Sequence, residues 1–194
     1  MRVSMNRRRF LATTTMTLDD MFEMARTSPS DINEHCDKLK GLASHSDVVI
    51  EFGMRKGVST VSLLAGQPKR MISYDLRYDP IAEFLKSRQG KTEFQFVIGD
   101  SLTIDIEPCD LLFIDSLHTA DQLTTELRRH ADKVHRWIVL HDTELFGERG
   151  EDGGPGLLSA MHGFLSENAD WSVDSFTNEN CGLTVLLRGI KKET

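Results

Sequence analysis

The fold is constrained most by an alternation of apolar, strand-like runs with helical segments, which begins at residue 47. Helical patterns at 59–66, 80–90 and 119–134 separate these runs along the chain. Continuous apolar strands that alternate with helices are typical of a parallel sheet covered on both faces. The predicted strands are 47–53, 70–76, 93–100, 109–115 and 136–142.

The C-terminal part of the chain departs from this alternation. A predicted helix near 156–168 is followed by two strand-like runs, 171–177 and 182–188, with only four residues between them. A connection of that length is too short for a parallel crossover, so these strands should pair as an antiparallel hairpin. We therefore predict an α/β fold: a Rossmann-like, doubly wound, seven-stranded, mostly parallel sheet with a C-terminal antiparallel hairpin.

The N-terminal part is predicted to be helical up to the first strand. Two helices are expected within 18–45, and Asp31 with Glu34 has the spacing of a capping box for the second. Residues 1–17 are basic and lack periodicity, which predicts a flexible N-terminus. Residues 18–194 then form a single domain, in keeping with the chain length.

The bulk composition narrows the class of partners. The net charge is −7 and the pI is near 5.5, so nucleic acid is not an expected partner. The sequence contains no apolar stretch of membrane-spanning length, and the NRRRFLA segment is followed by polar residues, unlike an export signal. We expect a cytoplasmic protein without a membrane partner, and the N-terminal helical pair is a candidate surface for a homodimer.

Acidic side chains terminate the predicted parallel strands. Ligands of open parallel sheets bind beyond the carboxyl ends of the strands, so this edge is the expected site. The strand-end residues are Glu51, Asp75, Asp100, Asp115 and the His141-Asp142 pair.

The segment after the first strand predicts a nucleoside ligand without a phosphate. Gly53 and Gly57 allow close backbone approach but lack the spacing of a dinucleotide or P-loop motif. Ser59 begins the next helix and is suited to a ligand carboxylate. Asp75 is suited to a ribose diol, and Asp100 to an exocyclic amine. S-adenosylmethionine (SAM) combines these groups.

A second group of side chains should converge next to that ligand. Asp115 and His118 follow the fourth strand, and His141 and Asp142 end the fifth. Carboxylates and imidazoles at one point can hold a divalent cation such as Mg²⁺ or Mn²⁺, which would lower the pKa of an acceptor hydroxyl. The glycine-rich segment 146–156 follows directly and is predicted to be a mobile lid over the acceptor pocket.

The E-x-G-x-x-x-G-x-S order from Glu51, with the strand-end acids and the terminal hairpin, is similar to class I SAM-dependent methyltransferases. FIDSLH and IVLHDT resemble the catechol-type and cephalosporin-biosynthesis-like O-methyltransferase branch. The resemblance implies methyl transfer from SAM, in many members with a divalent cation. The implied cofactor residues are Glu51, Gly53, Gly57 and Ser59 at the methionine end, Asp75 at the ribose, and Asp100 with Ser101 at the adenine.

The same resemblance implies roles for the second group. Asp115 corresponds to the metal-binding aspartate after strand four. The strand-five pair is either His141-Asp142 or Asp142-Thr143, and Asp142 is a ligand candidate in both registers. In the first register the metal ligands would be Asp115, His141 and Asp142. His118 stands where catechol-type enzymes have a catalytic lysine, and it would be the general base, with His141 as the other candidate catalytic residue.

These patterns together predict a SAM-dependent methyltransferase that O-methylates a small hydroxylated molecule with the help of a divalent metal. One alternative is a metal-independent methyltransferase that uses His118 or His141 as base. A second is a noncatalytic SAM-binding module. A dinucleotide oxidoreductase is disfavoured because the third glycine is missing.

Overall fold

The computed structural model describes residues 16–189, which form a seven-stranded sheet with helices on both faces. The strands are β1 Val48–Phe52, β2 Arg70–Asp75, β3 Glu93–Ile98, β4 Cys109–Ile114, β5 Val134–His141, β6 Trp171–Thr177 and β7 Leu183–Arg188. The α-helices are α1 Leu18–Thr27, α2 Cys36–Ala43, α3 Val58–Ala65, α4 Ile81–Lys86, α5 Ala120–His130 and α6 Leu157–Glu167. Short 3₁₀ helices cover Asn33–His35 and Ala131–Lys133.

The strand order confirms the predicted fold. It is β3-β2-β1-β4-β5-β7-β6, in which β3 to β5 pair in parallel. β7 lies between β5 and β6 and is antiparallel to both. β6 and β7 form the terminal hairpin expected from the short connection. β1 is central, between β2 and β4, so its carboxyl end lies in the middle of the sheet edge. The order reverses at β1, and the crevice beside such a switch point is where this fold class binds ligands.

Alternate residues of the central strands pack into two separate cores. Val49 contributes to a core shared with Leu39 of α2 and Leu64 of α3. Its neighbour Ile50 contributes to the opposite core, which contains Leu127 of α5. Burial on both faces explains why these strands are apolar throughout. None of the helices in residues 16–189 has the length and apolar character needed to cross a membrane.

The N-terminal helices differ from the prediction in their start signals. The second begins as the 3₁₀ turn Asn33–His35 without a side-chain cap, so the predicted capping box of Asp31 and Glu34 is wrong. Asp31 instead accepts a hydrogen bond from Arg55 Nη1 at 3.0 Å. A capping box is present on α1, from Thr17 to Asp20. The predicted flexible segment 1–17 lies outside the described residues except for its last two positions.

The helix predicted over 80–90 is shorter than expected. α4 ends at Lys86, and the prediction that Gly90 closes it is wrong. The amide of Arg88 bonds three residues back, to Leu85, which tightens the chain and stops the helix. Gly90 has a φ of +65° and lies in the following turn, where a Cβ would meet the Gln67 side chain at 2.5 Å.

Candidate functional site

The glycine loop after β1 is shaped by its contacts with the neighbouring strand ends. Gly53 has a φ of +92°, and a Cβ there would lie 2.0 Å from the Asp115 carbonyl oxygen. This glycine is therefore required by the close approach of β1 and β4. The Asp75 carboxylate, at the end of β2, accepts the Arg55 amide at 2.8 Å and the Arg77 amide at 3.1 Å. Asp75 thus holds the loop in place.

Glu51 is fully buried and surrounded by hydroxyl donors. Its carboxylate accepts hydrogen bonds from Ser59 Oγ at 2.6 Å, Thr60 Oγ1 at 2.8 Å and Ser73 Oγ at 2.5 Å. Burial disfavours the charged form more than these bonds favour it, which raises the pKa of Glu51 to about 7. The Ser59 hydroxyl, predicted to bind a ligand carboxylate, is directed at Glu51 instead.

The turn after β3 contains the predicted adenine-side residues. One Asp100 carboxylate oxygen accepts the Leu102 amide at 2.9 Å, which fixes the turn. Ser101 is buried and donates to Glu126 Oε1 at 2.6 Å. Ser116 and Gln122 donate to the same oxygen. Within residues 16–189, Glu126 Oε2 has no hydrogen-bond partner.

The second group does converge at the ends of β4 and β5. His118 Nε2 lies 2.8 Å from Asp142 Oδ2 and 3.3 Å from Asp115 Oδ1. His141 Nδ1 lies 3.2 Å from the same Asp115 oxygen and 3.5 Å from the same Asp142 oxygen. Asp142 has a φ of +61°, a left-handed conformation that turns the chain away directly after β5. Each carboxylate oxygen is thus placed between two imidazoles.

These contacts determine the charge state of the group. Burial disfavours a charged imidazole, but the two carboxylates outweigh it and raise the pKa of His118 to about 9 and that of His141 to about 10. Burial likewise opposes ionisation of Asp142, but hydrogen bonds from the imidazoles hold its pKa well below the usual range. The pKa of Asp115 is lowered in the same way. The carboxylates therefore favour the charged form of both imidazoles.

The structure brings His118 into the set of atoms suited to a cation, where the sequence had suggested His141. Asp115, His118 and Asp142 each offer a ligand atom within 4.8 Å of the others. His141 lies behind them, 1% exposed, with its Nε2 2.9 Å from the Asp31 carbonyl oxygen. Thr143 is buried, and its hydroxyl bonds to Thr184 at 3.0 Å. Of the two predicted registers, the one containing His141-Asp142 has its side chains in the group.

A cavity of about 830 Å³ opens over this group. It is lined by the glycine loop on one side and by the second group on the other, with the segment 29–32 and Cys181 completing the wall. Of the predicted site residues, Gly53, Ser59, Asp115, His118 and Asp142 line it. The remaining predicted residues, which are Glu51, Gly57, Asp75, Asp100, Ser101 and His141, are not among its lining.

The loop 146–156 forms the outer wall of the cavity, as its position in the sequence suggested. The Phe146 ring stacks on the His118 ring, with centroids 4.8 Å apart and planes at 1°. The Glu151 carboxylate accepts the His118 amide at 3.0 Å and lies 3.3 Å from its Nδ1. The loop therefore contacts the Asp115/His118/Asp142 group directly, through His118. Its predicted mobility stays a prediction.

Several polar side chains that line the cavity or lie near it were missed by the sequence analysis. Arg55 and Glu151 line the cavity from loops, and Cys181 lines it with a φ of +72°. Loop conformations of this kind leave no periodic signal in a sequence. Glu126 had a usable signal, because it shares the helical 3-4 spacing of the buried Leu123, Leu127 and His130 on α5.

Comparisons with known proteins bear on the fold. No protein-family model matches the chain, and no curated protein is recognisably similar in sequence. Among solved structures, a putative caffeoyl-CoA O-methyltransferase from Staphylococcus aureus is 13% identical with a TM-score of 0.64, over 90% of this chain and 93% of that one. An O-methyltransferase from Bacillus cereus in complex with S-adenosylhomocysteine is 16% identical with a TM-score of 0.59, over 93% and 94%.

N-methyltransferases have the same architecture. The 1,6-didemethyltoxoflavin-N1-methyltransferase from Burkholderia thailandensis, with S-adenosylhomocysteine bound, is 14% identical with a TM-score of 0.64, over 89% of this chain and 87% of that one. The fold of this chain is therefore the fold of SAM-dependent methyltransferases. At these identities the likeness extends to the fold alone and leaves the O- or N-acceptor open.

Proposed function

We propose that this protein is a SAM-dependent methyltransferase that acts on the hydroxyl group of a small molecule, assisted by a divalent cation. The single observation that carries the proposal is the shared cavity of about 830 Å³, lined by both the glycine loop and the Asp115/His118/Asp142 group. Its volume lies in the range of small-ligand sites, about 300–1,000 Å³. Methyl transfer needs donor and acceptor in one enclosed space.

The residues of the donor side fit SAM. Each carboxylate oxygen of Asp75 accepts one backbone amide. Because a carboxylate has about four lone-pair positions, Asp75 can still accept hydrogen bonds from the hydroxyls of a ribose. Leu76 and Leu117 follow the ends of β2 and β4 with 68% and 52% exposure, and they offer apolar surface to a flat ring. Glu126 Oε2, buried and unpartnered within residues 16–189, adds an acceptor behind Ser101.

The acceptor side supports chemistry on oxygen. A divalent ion held by Asp115, His118 and Asp142 would lower the pKa of an acceptor hydroxyl and orient its oxygen. The C–O bond would form as the C–S bond of the sulfonium breaks, the hydroxyl proton would pass to solvent water, and S-adenosylhomocysteine would be released. Phe146 stacks on the His118 ring and Glu151 accepts the His118 amide, so both contact this side of the cavity.

The metal-independent alternative is less well supported. It requires His118 or His141 as a neutral base, whereas the surrounding carboxylates raise the pKa of these imidazoles to about 9 and about 10. An imidazole that these carboxylates hold in its charged form is a poor base. The base role predicted from the sequence therefore depends on release of an imidazole from its carboxylate partners.

The first experiment is a calorimetric titration of the protein with SAM and, as control, with NAD. We expect micromolar SAM binding and no NAD heat, because the glycine loop lacks the dinucleotide spacing. Release of S-adenosylhomocysteine is then measured with a panel of phenolic, sugar and other small hydroxylated acceptors, with and without chelator. Absence of SAM binding would overturn the proposal. SAM binding without turnover on any acceptor would favour the noncatalytic module. Turnover that is unchanged by chelator would show that methyl transfer does not require the cation.

A further inference from the structure

The Asp115/His118/Asp142 group has a fourth potential metal donor beside it, the imidazole of His141. His141 Nδ1 contacts both carboxylate oxygens, at 3.2 Å to Asp115 and 3.5 Å to Asp142. His118 Nε2 contacts the same two oxygens from the cavity side, at 3.3 Å and 2.8 Å. The four atoms therefore close a ring in which oxygen and nitrogen alternate.

The spacing around this ring matches adjacent ligands on one metal ion. Zn–N and Zn–O distances are about 2.0–2.2 Å, so adjacent ligand atoms stand about 2.8–3.6 Å apart for angles between a right angle and the tetrahedral value. The four consecutive separations in the ring run from 2.8 to 3.5 Å. The four separations are therefore compatible with coordination of one ion.

The outward-facing nitrogen of each imidazole is already fixed by a protein acceptor. His141 Nε2 lies 2.9 Å from the Asp31 carbonyl oxygen. His118 Nδ1 lies 3.3 Å from Glu151 Oε1. Metal-binding histidines usually donate their second N–H to a carbonyl or carboxylate in this way, because the contact sets the tautomer that leaves the other nitrogen free to coordinate. Both rings are thus oriented with their inner nitrogens toward the carboxylate oxygens.

The donor types decide which ion suits the ring. Mg²⁺ and Ca²⁺ prefer oxygen ligands throughout, and Mg²⁺ retains several waters. Imidazole nitrogen suits Zn²⁺, Fe²⁺, Co²⁺ and Ni²⁺, and Mn²⁺ accepts mixed sets. A ring with two nitrogens and two oxygens is therefore a poor match for Mg²⁺, the ion first expected from the sequence.

From this geometry we infer that Asp115, His118, His141 and Asp142 together form a site for one divalent first-row transition metal ion, with Zn²⁺ or Fe²⁺ favoured over Mg²⁺. The inference deepens the cation part of the proposed function and rests on it only for the ion's use in methyl transfer. Binding in the absence of SAM decides it, so its failure and the failure of SAM binding are separate results.

The test is calorimetric titration of metal-stripped full-length protein with Zn²⁺ and, separately, with Mg²⁺. We expect one Zn²⁺ per chain, bound at least about 100-fold more tightly than Mg²⁺. His118→Gln and His141→Gln should each weaken Zn²⁺ binding at least about tenfold. His162→Gln is the matched control, because His162 is an exposed histidine on α6 outside the cavity, and it should bind Zn²⁺ like the wild type.

A second measurement uses the unmodified protein, so it does not depend on the folding of any variant. In the proton NMR spectrum of the Co²⁺-loaded wild type, two paramagnetically shifted imidazole N–H signals should appear and vanish in D₂O, one from each ligating ring. Comparable Zn²⁺ and Mg²⁺ affinities would overturn the inference, as would Zn²⁺ binding that is unchanged in both His118→Gln and His141→Gln. So would the absence of any bound ion or of these shifted signals, either of which would leave the ring as an internal imidazolium–carboxylate network.

Discussion

Two buried carboxylate clusters lie on the same edge of the sheet, and they are built from different donors. Glu51, at the end of β1, receives three hydroxyl hydrogen bonds and is 0% exposed. Asp115 and Asp142, after β4 and β5, are paired with imidazoles and line a cavity. Hydroxyl donors stay neutral and stabilise one fixed arrangement. Imidazoles exchange a proton for a metal ion, so the second cluster can change its partner where the first cannot.

The difference separates a structural role from a chemical one. Glu51 links β1, β2 and the start of α3, because its donors are Ser59, Thr60 and Ser73. The second cluster joins the ends of β4 and β5 with the loop that covers them and, through His141, with the Asp31 carbonyl oxygen. Substitutions at Glu51 should therefore act first on stability, and substitutions at Asp142 first on ligand binding.

Gly53 stands between the two clusters, and its substitution should have the largest effect. In Gly53→Ala the new Cβ would lie 2.0 Å from the Asp115 carbonyl oxygen at a φ of +92°. We expect a loss of at least about 3 kcal/mol in the free energy of unfolding, since backbone has to move. Urea denaturation measures it, with Gly163→Ala as control, because a Cβ there meets nothing within 4 Å. A Gly53→Ala protein as stable as the control would contradict the close packing of β1 on β4.

Removal of the Glu51 side chain should be the next largest effect. Glu51→Ala leaves three buried hydroxyls without their acceptor and opens a cavity, at a cost on the order of 3 kcal/mol in the free energy of unfolding. The cost should be the same with and without Zn²⁺, since the cluster has no part in binding the ion. If added Zn²⁺ restored the stability of this variant, the separation of the two clusters would be wrong.

Glu51→Gln should sharpen the comparison through its pH dependence. The pKa of Glu51 in the folded state, about 7, exceeds its ordinary value of 4.5, so the native state binds the extra proton and stability falls as pH rises between these values. The fall is on the order of 3 kcal/mol, complete near pH 7, and the glutamine variant should lack it. Unfolding of both proteins at about pH 5 and about pH 8 gives the difference. Parallel stability profiles would mean that Glu51 is ionised in the folded state over the whole range.

Saturating metal should stabilise the wild type by a moderate amount. At a Zn²⁺ concentration about 100 times the Kd, linkage predicts a gain of about 2.7 kcal/mol in the free energy of unfolding. Asp142→Asn should lose most of this gain, because one of the four ring atoms is replaced. Thermal or urea unfolding with Zn²⁺ and with chelator gives the value. An equal gain in the variant would place the ion elsewhere on the protein.

The smallest effect is expected at the rim. Glu151→Gln weakens the contacts of the covering loop with His118, but the Glu151 side chain is 39% exposed. We expect a change in the free energy of unfolding within about 0.5 kcal/mol. Hydrogen exchange at the His118 amide should nevertheless increase, since that amide donates to Glu151 at 3.0 Å. Unchanged exchange would mean that the loop is held without this carboxylate.

The fold was largely predictable from the sequence, because apolar strands, helical periodicity and a four-residue hairpin connection are local signals. The strand-end positions of Asp75, Asp115 and Asp142 followed from the same pattern. The partners of these carboxylates did not. The contact between Ser73 and Glu51 depends on the register of β1 against β2. The contact between Glu151 and His118 depends on a loop conformation.

The choice between His118 and His141 illustrates the same limit. The sequence places both at neighbouring strand ends but does not contain their side-chain rotamers. The sequence pattern therefore indicated both as candidate bases and only His141 as a metal ligand, whereas the geometry directs both rings at the same two oxygens. The left-handed conformation of Asp142, which positions its carboxylate, is also invisible in a single sequence.

The most direct test of this account is a crossed titration of two variants with two ligands. In Asp75→Asn, SAM affinity should fall at least about tenfold while Zn²⁺ affinity stays within about threefold of the wild type. In Asp142→Asn, Zn²⁺ affinity should fall at least about tenfold while SAM affinity stays within about threefold of the wild type. That double separation would establish a donor site and a cation site that bind their ligands independently on one edge of the sheet. Loss of both ligands in either variant, or no SAM binding by the wild type, would contradict it.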